Sequence, residues 1–157
     1  MSLERARAHL EKFGLADRIR LFSVSSATVA LAAAALGTKE ERIAKTLSFL
    51  TPEGPILVVA AGDAKVCNRK FKDTFMTKAR MIPSEDVEAL IGHGVGGVCP
   101  FGINEGVRVY IDESVFRFDT VYPAAGTAAS AVELSASELE RVSLSLARVD
   151  VTTVPES

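Results

Sequence analysis

The chain has 157 residues, of which 48% are hydrophobic and 24% charged, and its formal net charge is −2. A chain of this length buries roughly two-thirds of its unfolded surface, which excludes a disordered protein and a scaffold that depends on disulfides. The net negative charge disfavours a DNA-coating protein. We therefore expect a single domain over residues 1–157, with no DNA partner.

Cysteine and histidine spacing argues against a metal site. Cys67 and Cys99 form no CxxC motif and have no zinc-type spacing with His9 and His93. The most apolar stretch, 27–36, is about half the length of a membrane span, and the charged N-terminus does not resemble a signal peptide. We expect a cytoplasmic protein that binds no membrane, metal or cofactor.

Helical periodicity and capping residues predict three helices in the first third of the chain, over 3–13, 28–36 and 38–44. Ser26 is the expected cap of the second helix, and the capping-box pattern at 38–41 begins the third. Alternating apolar residues predict a strand over 18–24.

A hairpin follows. Two apolar runs, 45–50 and 56–61, flank the turn sequence 51–55, which contains Pro52, Gly54 and Pro55.

The remaining elements are short and mixed in type. Helices are predicted over 63–75, 84–91 and 135–142, the last with a capping box formed by Ser135 and Glu138. Strands are predicted over 107–111, 120–122, 131–134 and 146–151, and residues 152–157 are expected to fray. Since strands and helices do not alternate strictly, the fold class is α+β, with a mixed, curved sheet in one domain.

The segment 92–102 contains five glycines in eleven residues, too many for a packed strand. Glycine lets a backbone approach a ligand closely and direct N–H groups at it, and Pro100 restricts the backbone that follows. Such a loop suits an anion, a carbonyl group or a developing oxyanion. A bulged strand with a tight turn is the alternative.

Lys45 lies where a helical segment gives way to an apolar strand. There it could offer a charge and three donors to a cavity. Alternatively, it is a strand-start lysine whose stem covers apolar surface while its ammonium stays in water.

Cys99 near His93 raises the possibility of a Cys/His nucleophile. Unpaired cysteines are more often small buried hydrophobic residues, and no orienting Asp or Asn is evident.

The segment 65–80 carries six cations against the single acid Asp73; these are Lys65, Arg69, Lys70, Lys72, Lys78 and Arg80. Such a cluster could neutralise phosphates at a nucleic-acid end. A solvated helix face explains many runs of this kind equally well.

Several motifs occur in one order along the chain: 44–47 (AKTL), 61–63 (AGD), 96–102 (GGVCPFG), 109–114 (VYIDES), 125–126 (AG) and 132–134 (VEL). This pattern resembles the YbaK-like aminoacyl-tRNA deacylase family, which includes trans-editing proteins and the editing domain of bacterial prolyl-tRNA synthetases. The resemblance covers residues 3 to 150. It implies a strongly curved, barrel-like mixed sheet with helices packed outside, and hydrolysis of the ester between a wrong amino acid and the tRNA 3′ end.

The resemblance also implies site residues. Lys45 matches the essential lysine of the family, Gly96 and Pro100 match its GxxxP element, and Gly126 matches a glycine near the pocket. The backbone of Gly96, Gly97, Val98 and Cys99 would stabilise the oxyanion, while Thr28 and His93 would border the amino-acid pocket.

The chain departs from cysteinyl-tRNA(Pro) deacylases at three places. His93 replaces a frequent tyrosine, Phe22 or Val24 lies near another tyrosine position, and 126–131 lacks the charged residues found there in some members. The amino acid removed thus stays open among alanine, serine, threonine and cysteine.

We expect a trans-editing deacylase that binds the acceptor end of aminoacyl-tRNA. Phe22, Thr28, His93, Pro100 and Gly126 are assigned to substrate binding, as are the cations Lys65, Arg69 and Lys70; prolyl-tRNA synthetase is a candidate partner. Two other hypotheses stay open: a non-catalytic module that binds a tRNA end or a synthetase, and a hydrolase that depends on Cys99.

Overall fold

The computed structural model describes residues 2–155. The helices are Ser2–Glu11 (α1), Val29–Leu36 (α2), Asn68–Phe75 (α3), Ser84–Ile91 (α4) and Ala136–Val142 (α5). The strands are Ile19–Leu21 (β1), Ile43–Thr51 (β2), Gly54–Ala61 (β3), Lys65–Val66 (β4), Arg108–Asp112 (β5), Thr120–Pro123 (β6), Ser130–Val132 (β7), Leu134–Ser135 (β8), Ala147–Val149 (β9) and Thr152–Thr153 (β10). Short 3₁₀ turns lie at Ala16–Arg18, Glu40–Arg42 and Glu113–Arg117.

A curled six-stranded sheet with the order β8-β6-β2-β3-β5-β9 forms a half-barrel. The β2–β3 and β6–β8 pairs are antiparallel, and the β2–β6, β3–β5 and β5–β9 pairs are parallel. Two small antiparallel pairs, β1–β7 and β4–β10, and a single antiparallel bridge between Phe49 and Met81 lie outside this sheet order. The expected α+β class with a mixed, curved sheet is confirmed.

The core occupies both faces of the central hairpin. On one face, Leu57 and Val59 of β3 belong to a cluster with Leu10 of α1 and Leu139 of α5. The opposite face carries a smaller cluster in which Phe49 packs on Phe71 of α3, with ring centroids 4.7 Å apart. Because successive strand residues point to opposite faces, an uninterrupted apolar run such as β3 supplies both clusters.

Several local predictions are confirmed. The hairpin forms with Thr51 paired to Gly54, and α4 covers the predicted 84–91. The predicted capping box is present, since Ser135 Oγ accepts from Glu138 N–H and the Glu138 carboxylate accepts from Ser135 N–H.

Several elements differ from the sequence prediction, and three of the differences affect the region of the site. The helix expected over 38–44 is wrong, because only a 3₁₀ turn forms before β2 begins at Ile43 and pairs with β6. The segment 63–75 first forms β4, and its helix starts at Asn68. Thr28, not Ser26, caps α2, through a hydrogen bond from Leu31 N–H to Thr28 Oγ1.

The prediction that 152–157 frays is wrong at its start. Thr152 and Thr153 form β10, and the buried Asp112 carboxylate holds them by accepting from Val151 N–H at 2.8 Å and Thr152 Oγ1 at 2.7 Å. A buried carboxylate with several donors fixes the segments that supply them. Residues 156–157 lie outside the described part of the chain.

Candidate functional site

A cavity of about 260 Å³ lies beside the part of β2 that β6 does not cover. Its walls come from the start of α2, the glycine-rich loop, the segment before α4, and the ends of β6 and β7. The lining includes Lys45, Gly96, Val98 and Thr28 among the sequence-predicted site residues. Residues from three distant parts of the sequence, Thr28, Lys45 and the loop residues Gly96 and Val98, thus line one concavity.

The edge of β2 is open in the middle of the cavity wall. Strand β6 pairs only with Ile43 and Ala44, and further along Ser48 C=O accepts from Ile82 N–H. Because peptide groups alternate in direction along a strand, the N–H and C=O of Thr46 point to the same side as those of Ser48, toward the gap. The cavity is therefore bordered by a strand-edge peptide as well as by side chains.

Lys45 extends from this strand, and its ammonium is held by two backbone carbonyls. Nζ donates to Gly62 O at 3.3 Å and to Ala64 O. An ammonium has three N–H groups, so one donor remains beyond these two bonds. Burial lowers the pKa of Lys45 below its usual range; the nearby Asp63 carboxylate opposes this change and Lys65 adds to it.

The glycine-rich loop approaches the cavity at Gly96 and Val98. Gly96 has φ of +90°, and a Cβ at this position would lie 3.1 Å from the Cβ of Ala27 and 3.2 Å from that of Ala128. Glycine is required there because a larger residue meets both strain and crowding. The Gly97 N–H already donates to Gly94 O at 3.1 Å, so Gly96 and Val98 are the loop residues best placed to offer free amides.

Gly97 and Gly126 form a close contact between two loops. A Cβ on Gly97 would lie 2.6 Å from the carbonyl carbon and oxygen of Gly126 and from Thr127 N. Neither glycine lines the cavity, but their contact fixes the distance between the glycine-rich loop and the 124–130 loop, which supplies Ala124 and Ser130 to the lining. In this geometry Gly97 and Gly126 shape the cavity by holding the two loops together, and neither borders it directly.

His93 and Cys99 lie together in the core, not in the cavity lining, and both are 0% exposed. His93 Nε2 lies 2.6 Å from Phe101 O, so Nε2 carries the proton, and the buried Nδ1 has no partner among the described residues. Cys99 Sγ lies 3.5 Å from that protonated nitrogen. Burial raises the pKa of the thiol to about 12, and hydrogen bonding with the backbone of Phe101 and Gly126 opposes this change. This geometry argues against the hypothesis of a Cys99 nucleophile.

We expect the free energy of unfolding to fall as the pH drops from 7.5 to 5.5, in part through His93. Burial lowers the pKa of His93, so below about pH 6.5 the unfolded chain binds a proton that the folded chain does not, at a cost of at most about 1.4 kcal/mol per pH unit. Urea unfolding at pH 7.5, 6.5 and 5.5 should show a shallower dependence for His93→Gln. Equal slopes in the two proteins would contradict a neutral buried imidazole.

The remaining predicted substrate contacts lie away from the cavity wall. Pro100 is a buried residue of the glycine-rich loop that does not line the cavity, and Phe22 donates its backbone N–H to Ala129 O. Lys65 and Arg69 are exposed, whereas Lys70 pairs with Asp150 at 3.0 Å and donates to Thr152 O at 2.8 Å. The substrate-binding roles of these residues stay predictions.

Across residues 2–155, the structure contains no cluster of three His, Cys, Asp or Glu side chains suited to a metal ion. The same part of the chain has no helix long and apolar enough to cross a membrane.

Sequence reasoning missed most of the hydroxyl groups in the lining. Thr46 is the clearest case, because its Oγ1 is buried and has no hydrogen-bond partner among the described residues. Besides Thr28, which was predicted, the other hydroxyl residues of the lining are Ser26, Ser48, Ser84, Tyr122 and Ser130. Thr46 adjoins the predicted Lys45, so its position was a usable signal; the serines come from unrelated segments.

A family model described as the aminoacyl-tRNA editing domain matches residues 24–142. The chain therefore belongs to the aminoacyl-tRNA editing domain family, which confirms the resemblance drawn from the motifs.

Three relatives give the range of similarity. The uncharacterized protein YwhH of Bacillus subtilis is 46% identical over 153 residues, covering 96% of this chain and 97% of that protein. EbsC of Enterococcus faecalis, a proposed Cys-tRNA(Pro)/Cys-tRNA(Cys) deacylase, is 29% identical, and the match covers 66% of this chain and 64% of EbsC. The proline–tRNA ligase of Streptococcus sanguinis is 33% identical over 56% of this chain, a match that spans 14% of the ligase.

Solved structures agree with this assignment. The crystal structure of a proposed trans-editing enzyme for prolyl-tRNA synthetase superposes with a TM-score of 0.87 at 26% identity, covering 97% of each chain. The hypothetical protein APE2540 superposes with a TM-score of 0.78 at 29% identity, over 87% of this chain and 91% of that one.

Proposed function

We propose that this protein is a trans-editing deacylase, which hydrolyses the ester of a wrong amino acid on a proline-type tRNA in the cytoplasm. The observation that carries the proposal is the shared cavity: Lys45 and the loop residues Gly96 and Val98 line the same small concavity in an editing-domain fold. A charged donor and backbone amides around one space can hold a carbonyl group and stabilise the oxyanion formed from it.

The reaction needs little from the protein beyond positioning and electrostatics. Water attacks the ester carbon and the carbonyl oxygen becomes an oxyanion. As the carbonyl group re-forms, the bond to the ribose oxygen breaks, and that oxygen takes up the proton that the attacking water has given up. The free third N–H of Lys45 and the amides of Gly96 and Val98 are the groups available to the developing negative charge. Because its Nζ already donates to the Gly62 and Ala64 carbonyls, Lys45 is assigned the role of cation and donor, not of base.

The dimensions of the cavity favour a small amino acid. Its volume of about 260 Å³ lies below the range of about 300–1,000 Å³ typical of drug-sized ligands, so it suits an aminoacyl group better than a whole nucleotide. The lining combines apolar side chains such as Val29 and Ile82 with hydroxyl groups, including the unpartnered Thr46 Oγ1. Alanine, serine, threonine and cysteine are the candidates.

The basic segment 65–80 supplies the complementary charge for the tRNA backbone. Its residues lead directly into the cavity wall, because Arg80 C=O accepts from Leu50 N–H and the next residue, Met81, lines the cavity. The exposed cations Lys65 and Arg69 are therefore proposed to contact acceptor-end phosphates while the ester enters the cavity. Prolyl-tRNA synthetase is the proposed functional partner, as the enzyme whose product is edited.

The proposal is tested by offering the protein tRNA(Pro) charged with alanine, serine, threonine, cysteine or proline. We expect at least one non-cognate ester to be hydrolysed well above its spontaneous rate, and prolyl-tRNA(Pro) to be spared. Binding of uncharged tRNA without hydrolysis of any ester would overturn the proposal and favour a non-catalytic tRNA-end module. The same assay at raised salt should weaken binding if the basic segment contacts phosphates.

A further inference from the structure

The turn that holds the Lys45 ammonium is itself held by a second ion pair. Asp63 lies between Gly62 and Ala64, whose carbonyls accept from Lys45 Nζ. Its carboxylate accepts two hydrogen bonds from Arg117, with Nη2 to Oδ1 at 2.6 Å and Nη1 to Oδ2 at 3.3 Å. Two parallel bonds of this kind fix the geometry of a carboxylate more strictly than one bond does.

Arg117 is anchored on three sides. Its Nε donates to Ser114 O at 2.9 Å, and its guanidinium lies over the Phe118 ring, 4.8 Å from the centroid. The Ser114 hydroxyl in turn accepts from Ala61 N–H at 3.0 Å, immediately before the turn. The arginine therefore links the 3₁₀ turn Glu113–Arg117 to the turn that carries the two carbonyls.

Gly62 leaves this turn little room to move. A Cβ at Gly62 would lie 2.0 Å from Glu40 O and 2.7 Å from Cγ1 of Val29, a residue of the cavity wall. With Arg117 on one side and the Glu40 backbone on the other, the Gly62 and Ala64 carbonyls occupy a fixed place.

We propose that Asp63 and Arg117 are positioning residues, which fix the carbonyl pair that aims Lys45 and together set the charge around its ammonium. Asp63 is an attractive charge for Lys45 and Lys65 is a repulsive one. Arg117 pairs with Asp63, so its positive charge is expected to offset the field of that carboxylate at Lys45. The effect on catalysis rests on the proposed function; the effect on Lys45 itself does not.

The charges of Asp63 and Arg117 should affect the pKa of Lys45 in opposite directions. An ion pair with only a structural role would not have this effect. Asp63→Asn removes the attractive charge, so the pKa of Lys45 should fall. Arg117→Gln leaves the Asp63 charge uncompensated, so the pKa of Lys45 should rise. The two substitutions break the same contact but should move the titration in opposite directions, and the double variant should return toward the wild type.

The experiment is an NMR titration of the Lys45 side chain in ¹³C-labelled protein, with the signal assigned by its loss in Lys45→Arg. Arg148→Gln is the matched control, because Arg148 also makes two bonds to a carboxylate, that of Glu140, and also lies over a phenylalanine ring. We expect no shift of the Lys45 titration in this control. Shifts in the same direction in Asp63→Asn and Arg117→Gln, or no shift in either, would overturn the inference.

This readout needs no substrate, so its outcome is independent of the deacylase assay. If Lys45 titrates as expected while no ester is hydrolysed, the proposed function fails and the positioning role stands. If esters are hydrolysed but the titration is unmoved, the positioning role fails alone. In an active enzyme, the alkaline limb of the kcat/KM profile should move with the pKa of Lys45 in each variant.

Discussion

Replacing Lys45 by alanine is expected to lower kcat/KM for the best ester by about 10²- to 10³-fold, the loss seen when one oxyanion donor is removed from other enzymes. The ammonium is half-buried, is aimed by two carbonyls, and retains one N–H for the substrate. Because this charge acts in a partly desolvated cavity, bulk water cannot replace it. Single-turnover deacylation with limiting aminoacyl-tRNA measures the effect.

Two further variants separate charge from packing. Lys45→Met keeps the length of the side chain and its apolar contacts but removes the ammonium, so it should lose as much activity as Lys45→Ala. Lys12→Ala removes an exposed lysine that does not line the cavity and should leave kcat/KM unchanged. Full activity in Lys45→Met would contradict the role assigned to the ammonium.

Replacing Gly97 by alanine is expected to damage both stability and activity. The new Cβ would lie 2.6 Å from backbone atoms of Gly126 and Thr127, and backbone cannot rotate away as a side chain can. Overpacking of this kind costs about 1–3 kcal/mol, which for a chain of this size lowers the Tm by about 2–12 °C. The two loops bordering the cavity would separate, and a shift of about 1 Å can reduce kcat about 10²-fold.

Gly94→Ala is the matched control in the same loop. Its Cβ would meet Glu88 Oε1 at 3.4 Å, an ordinary contact with the end of a flexible side chain, and Gly94 does not line the cavity. Thermal unfolding and deacylation should therefore be close to wild type in Gly94→Ala and reduced in Gly97→Ala. If the two variants behave alike, the loop contact at Gly97 does not maintain the site.

Turns and helix caps that depend only on neighbouring residues could be predicted from the sequence. The turn at 51–55 and the capping box at Ser135 and Glu138 depend on residues within a few positions of one another. The same capping pattern at 38–41 failed, because Ile43 and Ala44 gain more as strand residues paired to β6 than a short helix could provide.

Some features of the candidate site could likewise be predicted from the sequence, and others could not. Lys45 and the glycine-rich loop were identifiable because their residue types are unusual in their positions. The sequence could not show that His93 is neutral or that the Cys99 thiol is unreactive. Both properties follow from burial and from the nearby Phe101 carbonyl oxygen. The Asp63–Arg117 link was equally hidden, because 54 residues separate its members.

The α+β class, the hairpin, the capping box at Ser135 and the family membership were set by the sequence alone, since periodicity, caps and motif order are read along the chain. Tertiary structure alone decided which groups meet around the open edge of β2, which donor of Lys45 stays free, and that the 152–153 segment is ordered by Asp112. The physical reason is that hydrogen-bond partners and burial depend on distances through space, and residues far apart in the chain supply most of them.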